Sequence, residues 1–306
     1  MNKIRAVIDL MRPATSLTSL LASIAGSLVE GNPFNEVSPS ILALLYLGVF
    51  LSHSSVNVFN DYFDYKSGLD LVTSKTPFSG GSKVIVEKRL SEREALALGL
   101  ILLVFSASIG LYLTLARGLL VLIFMVVGAL IIILYTKILV KHLLGEFSVY
   151  VKSVLITLAS SYVVFGDLTL RSLLIGSLYG IVSLTVLFLN SIPDRDVDRM
   201  FYRRTIASVL PVHRLHVVYA LLIIFTFLNT LLISIQYSMG VLLIFSSTPI
   251  FLLMLYVYSV LKFVLDRGFP QDLNDLIGVL GFNILSHRLL EFLVVFFIFY
   301  QLSIKI

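Results

Sequence analysis

The sequence predicts an all-α bundle that crosses a membrane about nine times, built as one domain over residues 1–306 with a cavity open near the cytoplasmic face. Three observations predict it: the composition, the spacing of the apolar runs, and the way the basic residues sort between them. Hydrophobic residues make up 58% of the chain and charged residues 13%, whereas a soluble domain carries roughly 25% charged and about 45–50% apolar residues. One water-exposed globule of this length cannot hide such a surplus, so lipid must cover much of it. Apolar runs fall near 14–30, 39–59, 95–115, 118–136, 147–166, 172–190, 215–236, 239–262 and 288–304, close to the ~20 residues that an α-helical span needs. The segment from Met1 to Arg12 is charged and then apolar with no convincing small-residue cleavage site after it, so the first run reads as a retained helix.

The hydrophilic connections alternate between long (60–94, 137–146, 191–214, 263–287) and short. Of the 23 Lys and Arg residues, 20 lie at the N-terminus, in or beside the long connections; Arg117, Arg171 and Lys305 are the remainder. The positive-inside rule then places the N-terminus and the long loops in the cytoplasm of a multi-pass protein of the cell membrane. The net charge of +5 is thereby a topology signal, and nucleic-acid binding is not expected. The chain has no Cys, which excludes disulfides and thiolate metal sites, and no Trp, which leaves 14 Tyr and 22 Phe to form any interfacial belt.

Two acidic clusters end the second and sixth runs. The first reads Asn57-Val-Phe-Asn60-Asp61-Tyr62-Phe63-Asp64, then Gly68 and Asp70. On a helix Asn60 and Asp64 share a face, and Gly68 is a stop signal after which Asp70 can turn back. The second reads Asn190-Ser-Ile-Pro193-Asp194-Arg195-Asp196-Val-Asp198-Arg199, with Asn190, Asp194 and Asp198 on one helical face and Asp196 opposite. Amide and carboxylate oxygens are hard ligands suited to Mg²⁺, which takes one or two carboxylates and fills its shell with water and substrate phosphate. Asn60, Asp64, Asp70, Asp194 and Asp198 are accordingly the candidate metal ligands, two opposed faces suiting two ions with a diphosphate between them. The plainer reading is a pair of solvated helix ends. A calcium loop is disfavoured, because no Glu closes Asp61–Asp70 at the required spacing.

These residues carry a resemblance. The pattern is similar to the UbiA superfamily of intramembrane prenyltransferases, whose signatures are N-D-x-x-D-x-x-x-D and D-x-x-x-D. The resemblance implies a nine-helix bundle that binds a polyprenyl diphosphate, such as geranylgeranyl diphosphate, through two Mg²⁺ ions. Where the first motif ends in Asp, this chain has Gly68, with Asp70 two residues on. That form, with Gly80-Gly81-Ser82-Lys83-Val84-Ile85-Val86-Glu87, resembles the branch that prenylates naphthoquinone precursors in menaquinone synthesis. The R-P-x-R-P-I-x-S-G stretch of other members is missing, and Lys75-Thr-Pro77-Phe-Ser-Gly80 is at best its remnant.

For the diphosphate, the candidate binding residues are Asn60, Arg12, Lys75, Lys83, Lys141, Asn190 and Arg199, each of the basic ones also readable as a positive-inside anchor. Arg12-Pro13 resembles the superfamily's first-helix motif, and Tyr135 to Glu146, with Lys141, its loop between the fourth and fifth helices. Tyr135, at a helix end, joins Asp64, Asp70, Asp194 and Asp198 among the catalytic candidates, against an ordinary interfacial Tyr. His53, alone in the second run, reads as packed or pore-facing. No Ser-His-Asp arrangement or dinucleotide-binding glycine motif stands out. The expected activity is prenyl transfer to an aromatic acceptor within the membrane. The alternatives are a glycerol-based lipid acceptor, or a transporter of a divalent cation or phosphorylated solute. A transporter would place ionisable or broken-helix sites near the bilayer midplane.

Overall fold

Proline, glycine and capping residues punctuate the chain into thirteen α-helices in the computed structural model, which describes residues 3–270 and 274–304. They are α1 (Lys3–Met11), α2 (Pro13–Leu28), α3 (Pro39–Ser67), α4 (Leu69–Val72), α5 (Glu92–Arg117), α6 (Leu119–Leu134) and α7 (Gly145–Phe165), followed by α8 (Leu170–Asn190), α9 (Arg195–Met200), α10 (Ile206–Val209), α11 (Val212–Ile235), α12 (Gly240–Asp266) and α13 (Asn274–Ile304). No strand occurs among the described residues. Pro13 and Pro39 occupy first-turn positions, where a missing N–H costs nothing. Ser91 and Thr169 close capping boxes at the starts of α5 and α8. Gly68, with φ of 84°, ends α3 in the left-handed conformation that a side chain resists.

The nine apolar runs coincide with α2, α3, α5, α6, α7, α8, α11, α12 and α13. Seven of these, among the described residues, are long and apolar enough to cross a membrane. The other two, α2 and α6, have 16 residues each, about 24 Å at 1.5 Å per residue. Two expected boundaries are corrected. Helix α3 continues to Ser67, eight residues past the end of its apolar run, so Asn57 to Asp64 lie on one continuous helix. The stretch 263–287 is not one long loop, because α12 reaches Asp266 and α13 starts at Asn274. Asn283, Ser286 and His287 interrupt the hydrophobic pattern there, yet all three are buried against the bundle.

Helix α2 sits centrally, packed on α3, α7, α8 and α13. Its buried Ser16, Ser19, Ser23 and Ser27 recur every three or four residues, and small side chains let helices approach closely inside a membrane. Ser23 and Ser160 hydroxyls meet at 2.7 Å, and a methyl group on Gly26 would stand 2.4 Å from the Thr157 carbonyl oxygen. The outward faces are apolar instead: Leu115, Phe105 and Phe245 are all exposed, as a lipid-facing surface requires. Between α3, α5, α6 and α7 lies a cavity of about 170 Å³, lined by Val49, Leu103, Phe124, Met125, Leu155 and other apolar side chains.

Candidate functional site

The two acidic clusters meet through an arginine. Arg203, in the turn between α9 and α10, donates from Nη1 to Asp64 on α3, and its Nε stands 3.3 Å from Asp198 Oδ1 on α9. Thr205 Oγ1 donates to the other Asp198 oxygen at 3.2 Å. Both carboxylates are buried, at 6% and 5% exposure, so the arginine between them offsets a desolvation cost that neither could bear alone. Connecting segments hold this turn in place: the Arg204 amide donates to the Val140 carbonyl at 2.9 Å, and the Ile206 amide to Glu146 Oε1 at 2.7 Å.

One turn back along α3, Asp61 is buried against Arg12. The link between α1 and α2 puts Arg12 in the left-handed region, with φ of 49°, and its Nη2 donates to Asp61 Oδ1 at 2.5 Å. Asn57 fixes that link, its Nδ2 donating to the Met11 carbonyl at 2.8 Å and to Thr15 Oγ1 at 2.9 Å. The second Asp61 oxygen accepts from the Ser82 amide at 3.0 Å and from the Ser82 hydroxyl.

The connection from α4 to α5 folds over these acids. Gly80 and Gly81 both have positive φ, 82° and 71°. A methyl group on Gly81 would lie 3.1 Å from Asp70 Oδ1 and 3.5 Å from Asp61 Oδ1, so glycine there lets the backbone approach two carboxylates at once. Lys83 Nζ donates to the carbonyls of Asp70 at 2.6 Å and Thr73 at 2.8 Å, and is 3.8 Å from Asp70 Oδ1. Lys75 Nζ donates to the Ser82 carbonyl at 3.0 Å. The Gly80 amide hydrogen-bonds Asp194, and Ser79 Oγ is 3.5 Å from the same carboxylate. The connection thus ties both clusters together.

Burial and the carboxylates of Asp61 and Asp64 push Asp70 up to about 7. Burial and Asp198 push Asp194 up to about 7. Asp198 rises to about 6, mainly through burial and against the pull of Arg203. Acids raised by burial and by one another mark a place where additional positive charge is favourable.

The second cluster differs from expectation in one respect. Asn190, Asp194 and Asp198 do not lie on one continuous helix face. Helix α8 ends at Asn190, the chain turns through Pro193, and α9 begins at Arg195, because proline cannot continue the hydrogen-bond ladder. Asp70 lies on the single turn of α4, not on an open loop. Asn60 Oδ1 accepts from Thr136 Oγ1 at 3.0 Å. Tyr135 caps α6, its backbone N–H donating to the Ile131 carbonyl.

Not every candidate converges. Arg199 turns outward, its Nε donating to the Ser208 carbonyl and its Nη1 lying 3.7 Å from the exposed Asp196. Lys141 is exposed on a 3₁₀ turn. Arg203, Asp61 and Ser82 are the central residues that sequence reasoning did not single out. Asp61 had a signal, since it lies four residues from Asn57 and three from Asp64 on one helix.

The donor set fits Mg²⁺. Among the described residues no group of three acidic or His side chains encloses a metal position by itself, but Mg²⁺ asks for only one or two carboxylates when phosphate completes the shell. Asp61 with Asp70, and Asp64 with Asp198, are such pairs. The Asn190 Oδ1 atom, at the C-terminal end of α8, is buried without a hydrogen-bond partner and is a spare hard acceptor.

The described residues thus form a bundle of apolar helices, seven of them long enough to cross a membrane, in which two aspartate clusters meet on one arginine. The UbiA prenyltransferase family matches residues 19–267, and the chain belongs to that family. It is a prenyltransferase with the fold of known UbiA homologues. A homologue from Aeropyrum pernix K1, in its apo form, is 14% identical with a TM-score of 0.68, covering 95% of this chain and 98% of its own. A homologue from Archaeoglobus fulgidus bound to GPP and Mg²⁺ is 15% identical with a TM-score of 0.65, covering 97% and 99%. A structure described for digeranylgeranylglyceryl phosphate synthase is 16% identical with a TM-score of 0.59, covering 99% and 100%. No curated protein sequence matches the chain.

Proposed function

We propose that this enzyme transfers a polyprenyl group from an allylic diphosphate, such as geranylgeranyl diphosphate, to an aromatic acceptor of the naphthoquinone-precursor type, with two Mg²⁺ ions. The observation that carries the reading is the meeting of Asp64 and Asp198, from two separate clusters, on one arginine, with Val56 of the same helix as Asp64 lining the apolar cavity. Asn60, Asp64, Asp70, Asp194 and Asp198 are the proposed metal ligands, joined by Asp61. Bound Mg²⁺ would neutralise the departing diphosphate as the allylic C–O bond breaks. Arg12, Lys75 and Lys83 supply positive charge around it, and the Tyr135 hydroxyl is a neutral donor to a phosphate oxygen. The apolar cavity holds the prenyl tail and keeps water from the allylic cation while the electron-rich ring attacks. The Mg²⁺- and GPP-bound Archaeoglobus homologue supports the donor substrate class. Purified protein given Mg²⁺, labelled geranylgeranyl diphosphate and a panel of acceptors tests it. Product with geranylgeranylglyceryl phosphate and none with 1,4-dihydroxy-2-naphthoate moves the acceptor to the glycerol lipids. Uptake into liposomes without product moves the protein to the transporters.

Asp70 is proposed as a ligand, because it shares the Gly81 approach with Asp61. Asp70→Asn is therefore expected to weaken Mg²⁺ and diphosphate binding together, by about tenfold each. Normal diphosphate binding with lost turnover would instead make Asp70 a base toward the acceptor.

The proposed orientation puts the clusters on the cytoplasmic side. Single cysteines introduced at Ser74, Leu144 and Tyr202 are expected to react from that side, and those at Phe34 and Leu168 from the other. The absence of native Cys makes the labelling unambiguous. Opposite accessibility of positions 74 and 202 would separate the two clusters and rule out a shared site.

A further inference from the structure

A second polar group lies deeper in the bundle, on the helices that carry the aspartates. On α3, His53 is one turn beyond Asn57 and eight residues from Asp61, about 12 Å along the helix. Its Nδ1 meets Ser19 Oγ of α2 at 2.6 Å. Lys152 of α7 donates from Nζ to the same Ser19 hydroxyl at 3.3 Å. His53 and Lys152 both line the apolar cavity, and they are the two titratable side chains in that lining. Behind them, Arg288 and Glu291 of α13 pair at 2.7 Å, with Arg288 also donating to Thr18 Oγ1 at 2.5 Å.

The charges of this group do not balance. Glu291, the carboxylate of this group, is engaged by Arg288. Among the described residues no carboxylate lies within ion-pair distance, 4.0 Å, of Lys152. A positive side chain at membrane depth is costly unless it is paired or serves a ligand. Lys152 is only half-buried, and its open side faces the cavity. A carboxylate arriving through the cavity supplies the missing charge, with the Ser19 hydroxyl and the His53 ring available as neighbouring hydrogen-bonding groups.

We propose that Lys152, with Ser19 and His53, is the subsite for an ionised carboxyl substituent on the aromatic acceptor. The assignment rests on the prenyl-transfer reading of the aspartate site. A diphosphate at the aspartates followed by one or two fused rings fills the roughly 12 Å between the two groups, which sets the ring beside the allylic carbon and its acid on Lys152. The subsite therefore selects aromatic acids over uncharged phenols and esters.

The test uses the full chain in lipid nanodiscs, with 1-hydroxy-2-naphthoic acid and its methyl ester as probes. The chain has no Trp, so naphthalene fluorescence reports binding directly. Wild type is expected to bind the acid at least about tenfold more tightly than the ester, the scale of a close charge pair. Lys152→Met should abolish that preference and leave ester binding unchanged, while Lys152→Arg retains it. Mg²⁺-dependent binding of labelled inorganic diphosphate, which has no tail to place in the cavity, should be the same in all three proteins. Equal affinity of wild type for acid and ester overturns the subsite, as does an acid preference that survives in Lys152→Met. Failure of wild type to bind inorganic diphosphate with Mg²⁺ instead overturns the aspartate-site assignment, and the acid-versus-ester comparison still reads the anion site by itself. Should Lys152→Met not fold, the wild-type comparison decides.

Discussion

Replacing either Asp64 or Asp198 with alanine is expected to lower prenyl transfer by about 10³-fold or more, the scale of removing a principal electrostatic stabiliser of a departing anion. Each carboxylate belongs to a different cluster, and each is held by the same guanidinium. Removing one leaves Arg203 paired with the other, so neither single variant strands a buried cation. The protein should therefore keep its elution volume in detergent while turnover collapses, which separates loss of chemistry from loss of fold. Chelation of divalent metal by EDTA should silence wild type to the same degree, and Mg²⁺ or Mn²⁺ should restore it. Incorporation of labelled prenyl groups into acceptor measures both effects. Near-normal turnover in Asp64→Ala or Asp198→Ala would remove the two-cluster site from consideration.

Local features of this chain were legible from sequence, and long-range ones were not. Each apolar run reports its own solvent, so all nine could be placed on helices without knowing their neighbours. The start of α13 could not, because Asn283, Ser286 and His287 look like loop residues until the bundle that buries them is known. The same contrast holds in the site. Asn60, Asp64, Asp194 and Asp198 announce themselves through short spacings at helix ends. Asp70 is legible because Gly68 stops the helix just before it. Arg203 is hidden, since its partner Asp64 is 139 residues away and its own neighbourhood holds several other basic residues. Arg199, in the same stretch, was the more visible candidate and turns outward. Lys152 lies just inside the fifth apolar run and belongs to no motif, and only the packing of α2, α3 and α7 sets it beside Ser19 at the cavity wall.

Arg203→Met should have the largest effect on stability. The guanidinium is buried between Asp64 and Asp198, with Asp194 and Tyr135 also acting on it. Methionine keeps much of the side-chain volume but leaves two buried carboxylates facing each other without a cation. Breaking a buried ion pair by removing one partner costs about 3–5 kcal/mol, and here one residue serves two acids. Arg203→Lys should fall between the two, because an ammonium is a point charge and cannot present separate donors to both carboxylates as the planar fork does. The measurement is thermal unfolding in detergent, with and without Mg²⁺ and inorganic diphosphate. Ligand that binds only the folded state stabilises it according to its concentration over its dissociation constant. In wild type, Mg²⁺ must compete with an arginine already in place between the acids. In Arg203→Met that competition is absent, so Mg²⁺ with diphosphate should raise the unfolding temperature more in the variant than in wild type. A variant as stable as wild type without metal would mean that the two acids do not depend on Arg203. An equal metal-induced shift in both proteins would mean that the ions sit elsewhere, and that Arg203 is a fixed clasp between the clusters, not the charge that the metals replace.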